Sequence, residues 1–542
     1  MTLSAETLPQ LVAAAAERFG PNLALISPGE RWTYADLAAE TARVAAGLTA
    51  LGIATGERVG VLLPNWAQFF SAVYGIQAAG AVAVCLSTMA TPKELREALA
   101  HADVRHLIYT PRFLKHDYAS ALASPSDCGA EEAPKLDTRI VFVPGGAGPG
   151  DLPPEALDFA AIGERPGPDG GAIALRALDR STADAPAAIY FTSGSTARPK
   201  AVVHSHRALV LQALVCSDSF GVDEGDRLWG SLPMFFTGGF VAVALTSLAR
   251  GAAVVLVDHF EATTALETLE RERVSFFTGW QLAPAICDHP TFGARDLDVR
   301  KGVWVEAPVA ERLLRPDHVA IGVYGMSETA TFVCQARHDD PPELRRRGFG
   351  RPLPGVELRV IDPETGAPVA TGEVGEVLVK GPSMMLGYVG VPLEETLDES
   401  GFLHTGDLGF LDDSGTLRFG GRLKEVIRTA GVNVAAAEVE ACIEAIPGIR
   451  SAYVVPVPHD VRGENVAAFL VPDPGAAIDA SGVLDHCRRE LASYKVPRHL
   501  FLLDPDAVPR TGTQKVSKPA LKTVARERAG GAEDLLAKSS AT

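Results

Sequence analysis

Residues 190–206 read YFTSGSTARPKAVVHSH: an apolar, strand-like start, then serine, threonine and glycine closing on Pro199-Lys200. Hydroxyls and backbone N–H groups at the carboxyl end of a strand stand where α/β sheets bind ligands. Glycine lets amides close on an anion, Ser and Thr add donors, and Lys200 adds charge, so the stretch suits an oligophosphate. Two common phosphate loops do not fit. Walker A needs glycine directly before its lysine, where Pro199 stands, and no G-x-G-x-x-G is present. On composition alone, a plain Ser/Thr-rich turn competes with the phosphate reading.

Outward from this stretch, short β-rich runs alternate with helical patterns through most of the first 420 residues. AAIYFT precedes HRALVLQALV, GAAVVLV precedes ATTALETLERERV, and VSFFTG precedes QLAPAI. Such alternation predicts βα units around largely parallel sheets. Residues 123–186, rich in Pro, Gly, Ala and Asp around the single strand TRIVFVP, read as an exposed connector. From about residue 350 the pattern turns antiparallel, with VELRVID, GEVLVKG and the hairpin FLDDSGTLRFGG, whose Asp412-Asp413-Ser414-Gly415 is turn chemistry. After Arg422, AAAEVEACIEAI and SGVLDHCRRELA read as helices, and SAYVVPVPHD and NVAAFLVPD as strands, enough for a small α+β domain.

A chain of 542 residues is too long for one core, and its formal charge of −17 argues against nucleic acid and against an anionic membrane surface. The N-terminal stretch MTLSAETLPQLVAAAAERFG lacks a basic region and reads as a helix rather than a signal peptide. No apolar run reaches the ~18 residues of a membrane span. Seven cysteines without C-x-x-C spacing fit reduced thiols, and a cytoplasmic enzyme is expected. His204 and His206 admit a metal reading; a strand running into a helix capped by Ser205 is the simpler one.

The 190–206 stretch resembles the phosphate loop of the ANL superfamily of adenylate-forming enzymes: acyl-CoA synthetases, peptide-synthetase adenylation domains and luciferases. Four further stretches resemble the superfamily's motifs in their order: YGMSETA (324–330), GFLHTGDLGFLDDSGTLRFGGRLKEVI (401–427), AGVNVAAAEVE (430–440) and PRTGTQK (509–515). The acyl-CoA ligase branch is the best match. It implies an α/β fold: a large N-terminal AMP-binding domain (1–422) of α/β subdomains plus a β-rich subdomain, and a small mobile α+β C-terminal domain (423–542) hinged near Lys424.

The resemblance further implies activation of a carboxylic acid by ATP and Mg2+ as an acyl-adenylate, and transfer of the acyl group to coenzyme A. Thr192, Ser193, Gly194, Ser195, Thr196 and Lys200 would hold phosphates. Tyr324 would pack on adenine, Ser327 would lie near the α-phosphate, and Glu328 would bind the metal. Asp407 would take the ribose hydroxyls, with Arg422 its partner. Lys515 would reach the reacting groups during adenylation, and Gly431 would let pantetheine pass once the small domain has turned. Phe236, Gly239, Trp280, Glu306, Ala307, Val323 and Gly325 match the acyl pocket, whose bulky apolar members suggest a hydrophobic, aromatic or polycyclic acid. Free CoA is the expected acceptor, since no carrier-protein segment is recognised after Lys515.

Four positions depart from the superfamily's pattern. Ala197 and Ala201 replace glycines around Pro199-Lys200, and a left-handed alanine at 197 would cost about 1–2 kcal/mol. Glu306 stands where glycine is usual. At an effective dielectric of 20, a carboxylate ~5 Å from the reacting phosphate repels an added charge by roughly 3 kcal/mol, about two powers of ten in rate. Gln514 replaces the glycine before Lys515. All four fall on the machinery of the first half-reaction. Two further readings follow: an enzyme that only thioesterifies an acyl-adenylate made by a separate adenylating enzyme, and a non-catalytic acyl-adenylate-binding protein.

Overall fold

The alternation of apolar strands and helices builds two sheets in a computed structural model of the chain. It describes all residues except 1–2, 124–135, 149, 168–169, 193–199, 280–281, 304–311, 316–317, 347, 424–425, 430–431, 461, 492–494, 511–515, 532 and 537–542. Contacts divide the chain into two units, 1–357 with 379–403, and 358–378 with 404–542.

In the larger unit a nine-stranded sheet runs Val391–Pro392, Gly387–Tyr388, Lys200–Ser205, Pro186–Thr192, Val82–Cys85, Arg58–Leu62, His106–Tyr109, Thr138–Val141, Leu157–Asp158. From Pro186–Thr192 onward its neighbours are parallel. The other edge is antiparallel. A seven-stranded sheet runs Val319–Ile321, Lys301–Val303, Phe276–Phe277, Arg227–Gly230, Ala253–Leu256, Leu23–Ser27, Glu30–Thr33, and only its last pair is antiparallel. Strands buried on both faces read as continuous apolar runs, as VAVC (82–85) and AVVL (253–256) do. One core joins both sheets to the helices Leu8–Phe19, Tyr34–Ala50 and Ala67–Ala78. The last of these is buried on every side, as its all-round apolar sequence requires.

The segment 123–186 is not a simple connector. Its strand Thr138–Val141 lies inside the nine-stranded sheet, with Ile140 and Val141 fully buried. Its helix Gly171–Leu178 packs on Leu8–Phe19 and Tyr34–Ala50 through Leu175. Elements of four and eight residues among Pro and Gly leave little periodicity to read.

In the smaller unit the hairpin predicted at 412–415 joins Leu403–Leu411 to Leu417–Arg422, with Gly415 at φ +74° and the Asp412 carboxylate capping the Ser414 and Thr416 amides. A second sheet contains Val432–Ala435, Val426–Thr429, Gly463–Pro472, Ile449–His459 and His499–Leu502. Side chains alternate across a strand, so Gly463–Pro472 feeds two cores. Val466, Ala468 and Leu470 meet the helices Ala436–Glu444 and Ala480–Glu490 on one face. Ala467, Phe469 and Val471 meet Lys518–Arg528 on the other. The six described cysteines are free thiols. Among the described residues, no helix is long and apolar enough to cross a membrane.

Candidate active site

Thr192 and Lys200 face each other across the antiparallel ladder, so sheet pairing brings together the two ends of segment 193–199. Ala201, next in the ladder, pairs with Phe191 and is wholly buried in a core. Its backbone is regular strand with no positive φ, so this alanine stands in place of a glycine without strain. Ser193, Gly194, Ser195, Thr196 and Ala197 lie outside the described residues.

Period-two alternation puts Lys200, Val202 and His204 on one face of strand Lys200–Ser205. Val202 is registered opposite Tyr388, whose side chain therefore shares that face. A short 3-10 turn, Ser327–Thr329, is held by these groups. His204 Nε2 donates to the Ser327 carbonyl at 2.6 Å, and the Met385 amide donates to the Glu328 carbonyl at 2.8 Å. The Tyr388 hydroxyl donates to Glu328 Oε1 at 3.0 Å. Lys200 Nζ reaches the Tyr388 hydroxyl at 3.4 Å and lies 4.5 Å from the ring centroid. Inside the turn, Thr329 Oγ1 donates to the Met326 carbonyl and accepts from the Met326 amide.

Burial pushes the His204 imidazole down to about 4, partly countered by its bond to the Ser327 carbonyl. The ring is neutral at ordinary pH, with its proton on Nε2 by virtue of that bond. His206 is likewise lowered to about 4 by burial, and its Nδ1 accepts from the Leu8 amide. The two histidines thus serve different partners, a carbonyl and an amide. Burial, then the nearby Glu328 charge, raises the Tyr388 phenol above its ordinary value, so it stays a donor.

The chain leaves the turn through two unusual residues, Ala330 at φ +53° and Thr331 at φ +119°. Positive φ is costly for a β-branched residue, and such outliers gather at functional sites. Gly325, on the entering side, packs against the returning backbone, where a Cβ would run into the Thr331 carbonyl oxygen. Tyr324 is buried, its ring 6.2 Å from that of Phe349. Phe236 and Val323 are partly buried at the edge of the main core, and Phe236 packs on Phe235 with ring centroids 4.6 Å apart. Gly239 lies against the carbonyls of Leu232 and Pro233.

In the smaller unit Asp407 and Arg422 are directly paired across Leu403–Leu411 and Leu417–Arg422, with Arg422 Nε 3.1 Å from Asp407 Oδ1. The carboxylate side chain is 5% exposed and the guanidinium 62%. The approach to Asp407 is fixed from below: Thr405 Oγ1 donates to the Val377 carbonyl and accepts from the Asp407 amide, while the Gly406 amide donates to Glu376.

Sequence reading brought Lys200, Ser327 and Glu328 to one place but missed Tyr388 and the role of His204. Nothing in the residue types around Gly387-Tyr388 signals chemistry, whereas the HSH pair was a visible lead. Trp280, Glu306, Ala307, Lys424, Gly431, Gln514 and Lys515 lie outside the described residues.

A single acidic side chain at the turn fits magnesium, which is held by one or two carboxylates together with phosphate oxygens rather than by an all-protein cage. Tyr388 holds one oxygen of Glu328, leaving the other for a hard cation. Among the described residues no group of three or more His, Cys, Asp or Glu forms such a cage.

The profile described as AMP-binding enzyme matches residues 12–389, and that of the AMP-binding enzyme C-terminal domain matches 438–515. A (methyl-dioxo-octahydro-indenyl)propanoyl:CoA ligase of Rhodococcus jostii is 31% identical, with 96% of this chain and 99% of the relative covered. A feruloyl-CoA synthase of an Amycolatopsis species is 32% identical over 90% of this chain and 93% of its own length. The ATP-bound structure of MatB from Rhodopseudomonas palustris matches with a TM-score of 0.78 at 26% identity, covering 96% of this chain and 99% of that one.

Proposed function

This chain belongs to the AMP-binding enzymes, in the acyl-CoA ligase branch of the ANL superfamily, and from that premise we propose that it joins a bulky hydrophobic carboxylic acid to coenzyme A through an acyl-adenylate. The observation that carries the reading is the Ser327–Glu328 turn, held against the strand that begins with Lys200. In the first half-reaction a carboxylate oxygen attacks the α-phosphorus of ATP, and the bond to the β-phosphate breaks, releasing pyrophosphate. In the second, the CoA thiol loses its proton and attacks the acyl carbonyl, and the bond to AMP breaks.

Residues 192–196 and Lys200 cradle the phosphates, and Ser327 faces the α-phosphate. Glu328 would hold Mg2+, which when bound offsets phosphate charge. Tyr324 packs on adenine; Asp407, supported by Arg422, takes the ribose hydroxyls. Lys515 stabilises charge developing at the α-phosphate. We place the mobile domain at 423–542 with its hinge at Lys424, and assign Gly431 to the pantetheine path. Phe236, Gly239, Trp280, Glu306, Ala307, Val323 and Gly325 line the acyl pocket. A fused-ring acyl group in one relative and an aromatic one in another support a bulky substrate.

The test is pyrophosphate exchange over a broad panel of acids, run beside CoA transfer from synthetic acyl-adenylates. Exchange with aromatic or polycyclic acids, and transfer to CoA, is the expected result. Transfer without exchange for any acid would instead identify an enzyme supplied by a separate adenylating partner, the reading favoured by Ala197, Glu306 and Gln514. Binding of acyl-adenylate with no product on adding CoA would identify a non-catalytic binder.

A further inference from the structure

Lys200 and Glu328 carry opposite charges, and both are assigned to the same nucleotide. Left alone, a flexible lysine and a nearby carboxylate pair with each other, and each is then lost to the phosphate and the metal. Here the Tyr388 hydroxyl stands between them, donating to Glu328 Oε1 at 3.0 Å and lying 3.4 Å from Lys200 Nζ. The ammonium also rests 4.5 Å from the ring centroid, an attraction to the aromatic face that holds the lysine over the ring.

The tyrosine has little freedom to leave. Tyr388 is laddered to Val202 on one side and to Val391 on the other. Gly387 before it adopts φ +128°, and a Cβ there would press on the Val391 carbonyl and the Leu393 amide. The Met385 and Leu386 amides bind the Glu328 and Val203 carbonyls, so the strand that carries the phenol also fixes the backbone of its acceptor.

We propose that Tyr388 is a positioning residue of the adenylation half-reaction: its hydroxyl holds Glu328 for the metal and keeps Lys200 from closing on that carboxylate. The proposal rests on the ligase reading for the roles of Lys200 and Glu328, and on geometry for the role of the phenol. It goes beyond a packing role because the hydroxyl, not the ring, makes the separation. Tyr388→Phe keeps the ring and the ladder and removes only the spacer.

The test is calorimetric titration of ATP into wild type and Tyr388→Phe at low and at saturating magnesium, with pyrophosphate exchange measured against magnesium concentration. Tyr388→Phe should weaken ATP binding about tenfold at saturating magnesium and by less than threefold without it, and should raise the magnesium needed for half-maximal exchange about tenfold. In a Lys200→Met background, where no ion pair can form, the same substitution should cost much less. CoA transfer from a synthetic acyl-adenylate, which carries the α-phosphate but no pyrophosphate, should lose less than pyrophosphate exchange does.

Equal ATP affinity in the two proteins, or an equal loss with and without magnesium, overturns the proposal. Matching far-ultraviolet circular dichroism and urea midpoints establish that the variant is folded, and Tyr388→Trp, which restores a ring donor, should recover part of the magnesium response. A wild type that binds no ATP and transfers no acyl group would sink the ligase reading instead, an outcome distinct from an unresponsive Tyr388→Phe.

Discussion

The turn at Ser327–Glu328 and the ladder at Asp407–Arg422 each bear a proposed nucleotide contact, and they are built on different principles. The turn is held by hydrogen bonds from a neutral buried histidine, a backbone amide and a phenol, and its exit is strained at Ala330 and Thr331. The ladder is an antiparallel pair whose carboxylate is buried and whose cation is mostly in solvent. The stability of the turn rests on the buried groups that hold its backbone, His204 and the Met385 amide, and not on the Glu328 charge; in the ladder the half-exposed charge pair itself contributes little to stability. Perturbing each region in turn measures that contrast.

The largest effect should come from Glu328→Gln. The amide can still accept from Tyr388, so the melting temperature should hold, while loss of the metal-binding charge should slow pyrophosphate exchange about a thousandfold, or roughly 4 kcal/mol. A comparable loss of stability would mean that the carboxylate belongs to the scaffold. Acid should act in the opposite way, on stability. His204 and His206 have folded values near 4 against 6.5 for the ordinary imidazole, so between those limits the unfolded chain binds more protons. Their neutral-state contribution is whole above pH ~6.5 and is lost as pH falls toward 4, by roughly 3 kcal/mol for each histidine. Urea midpoints measured from pH 7.5 to 4.5 should fall, and His204→Gln should flatten part of the slope. A slope unchanged by that substitution would remove His204 from the account.

At the ladder, Asp407→Asn should raise the KM for ATP about a hundredfold, some 2.7 kcal/mol, because a charged acceptor for the ribose hydroxyls becomes neutral. Stability should fall by less than about 1 kcal/mol, since an ion pair with one partner in solvent contributes little. A large stability loss here would erase the distinction between the regions.

Much of the fold was legible because buried parallel strands have to be apolar throughout, and runs such as AVVL carry that signal without help. Segment 123–186 hid its interior strand because four residues between Pro- and Gly-rich stretches have no period to read. The site divided in the same way. Lys200 sits in a stretch whose residue types suit an oligophosphate, whereas Ser327 and Glu328 were reached only through the resemblance of YGMSETA to a superfamily motif. Tyr388 acts only through a register, opposite Val202 and 60 positions from Glu328, and pairing across a sheet leaves no mark on local sequence. His204 was visible, but its partner, a backbone carbonyl 123 residues away, was not.

The smallest effect offers the sharpest contrast, because one substitution made in each region should shift stability in opposite directions. Thr331 leaves the strained turn with its buried hydroxyl unpartnered among the described residues. Thr331→Val keeps the shape and the strained φ but removes that hydroxyl, and an unsatisfied buried polar group costs about 1–3 kcal/mol, so the variant should be more stable by roughly 1 kcal/mol. Thr405, in the strand that carries Asp407, donates to the Val377 carbonyl and accepts from the Asp407 amide. Thr405→Val breaks both bonds and should lose about 1–2 kcal/mol. Urea unfolding of the two variants decides the matter. Shifts of the same sign would mean that the Thr331 hydroxyl has a partner after all, and that the turn is satisfied as fully as the ladder.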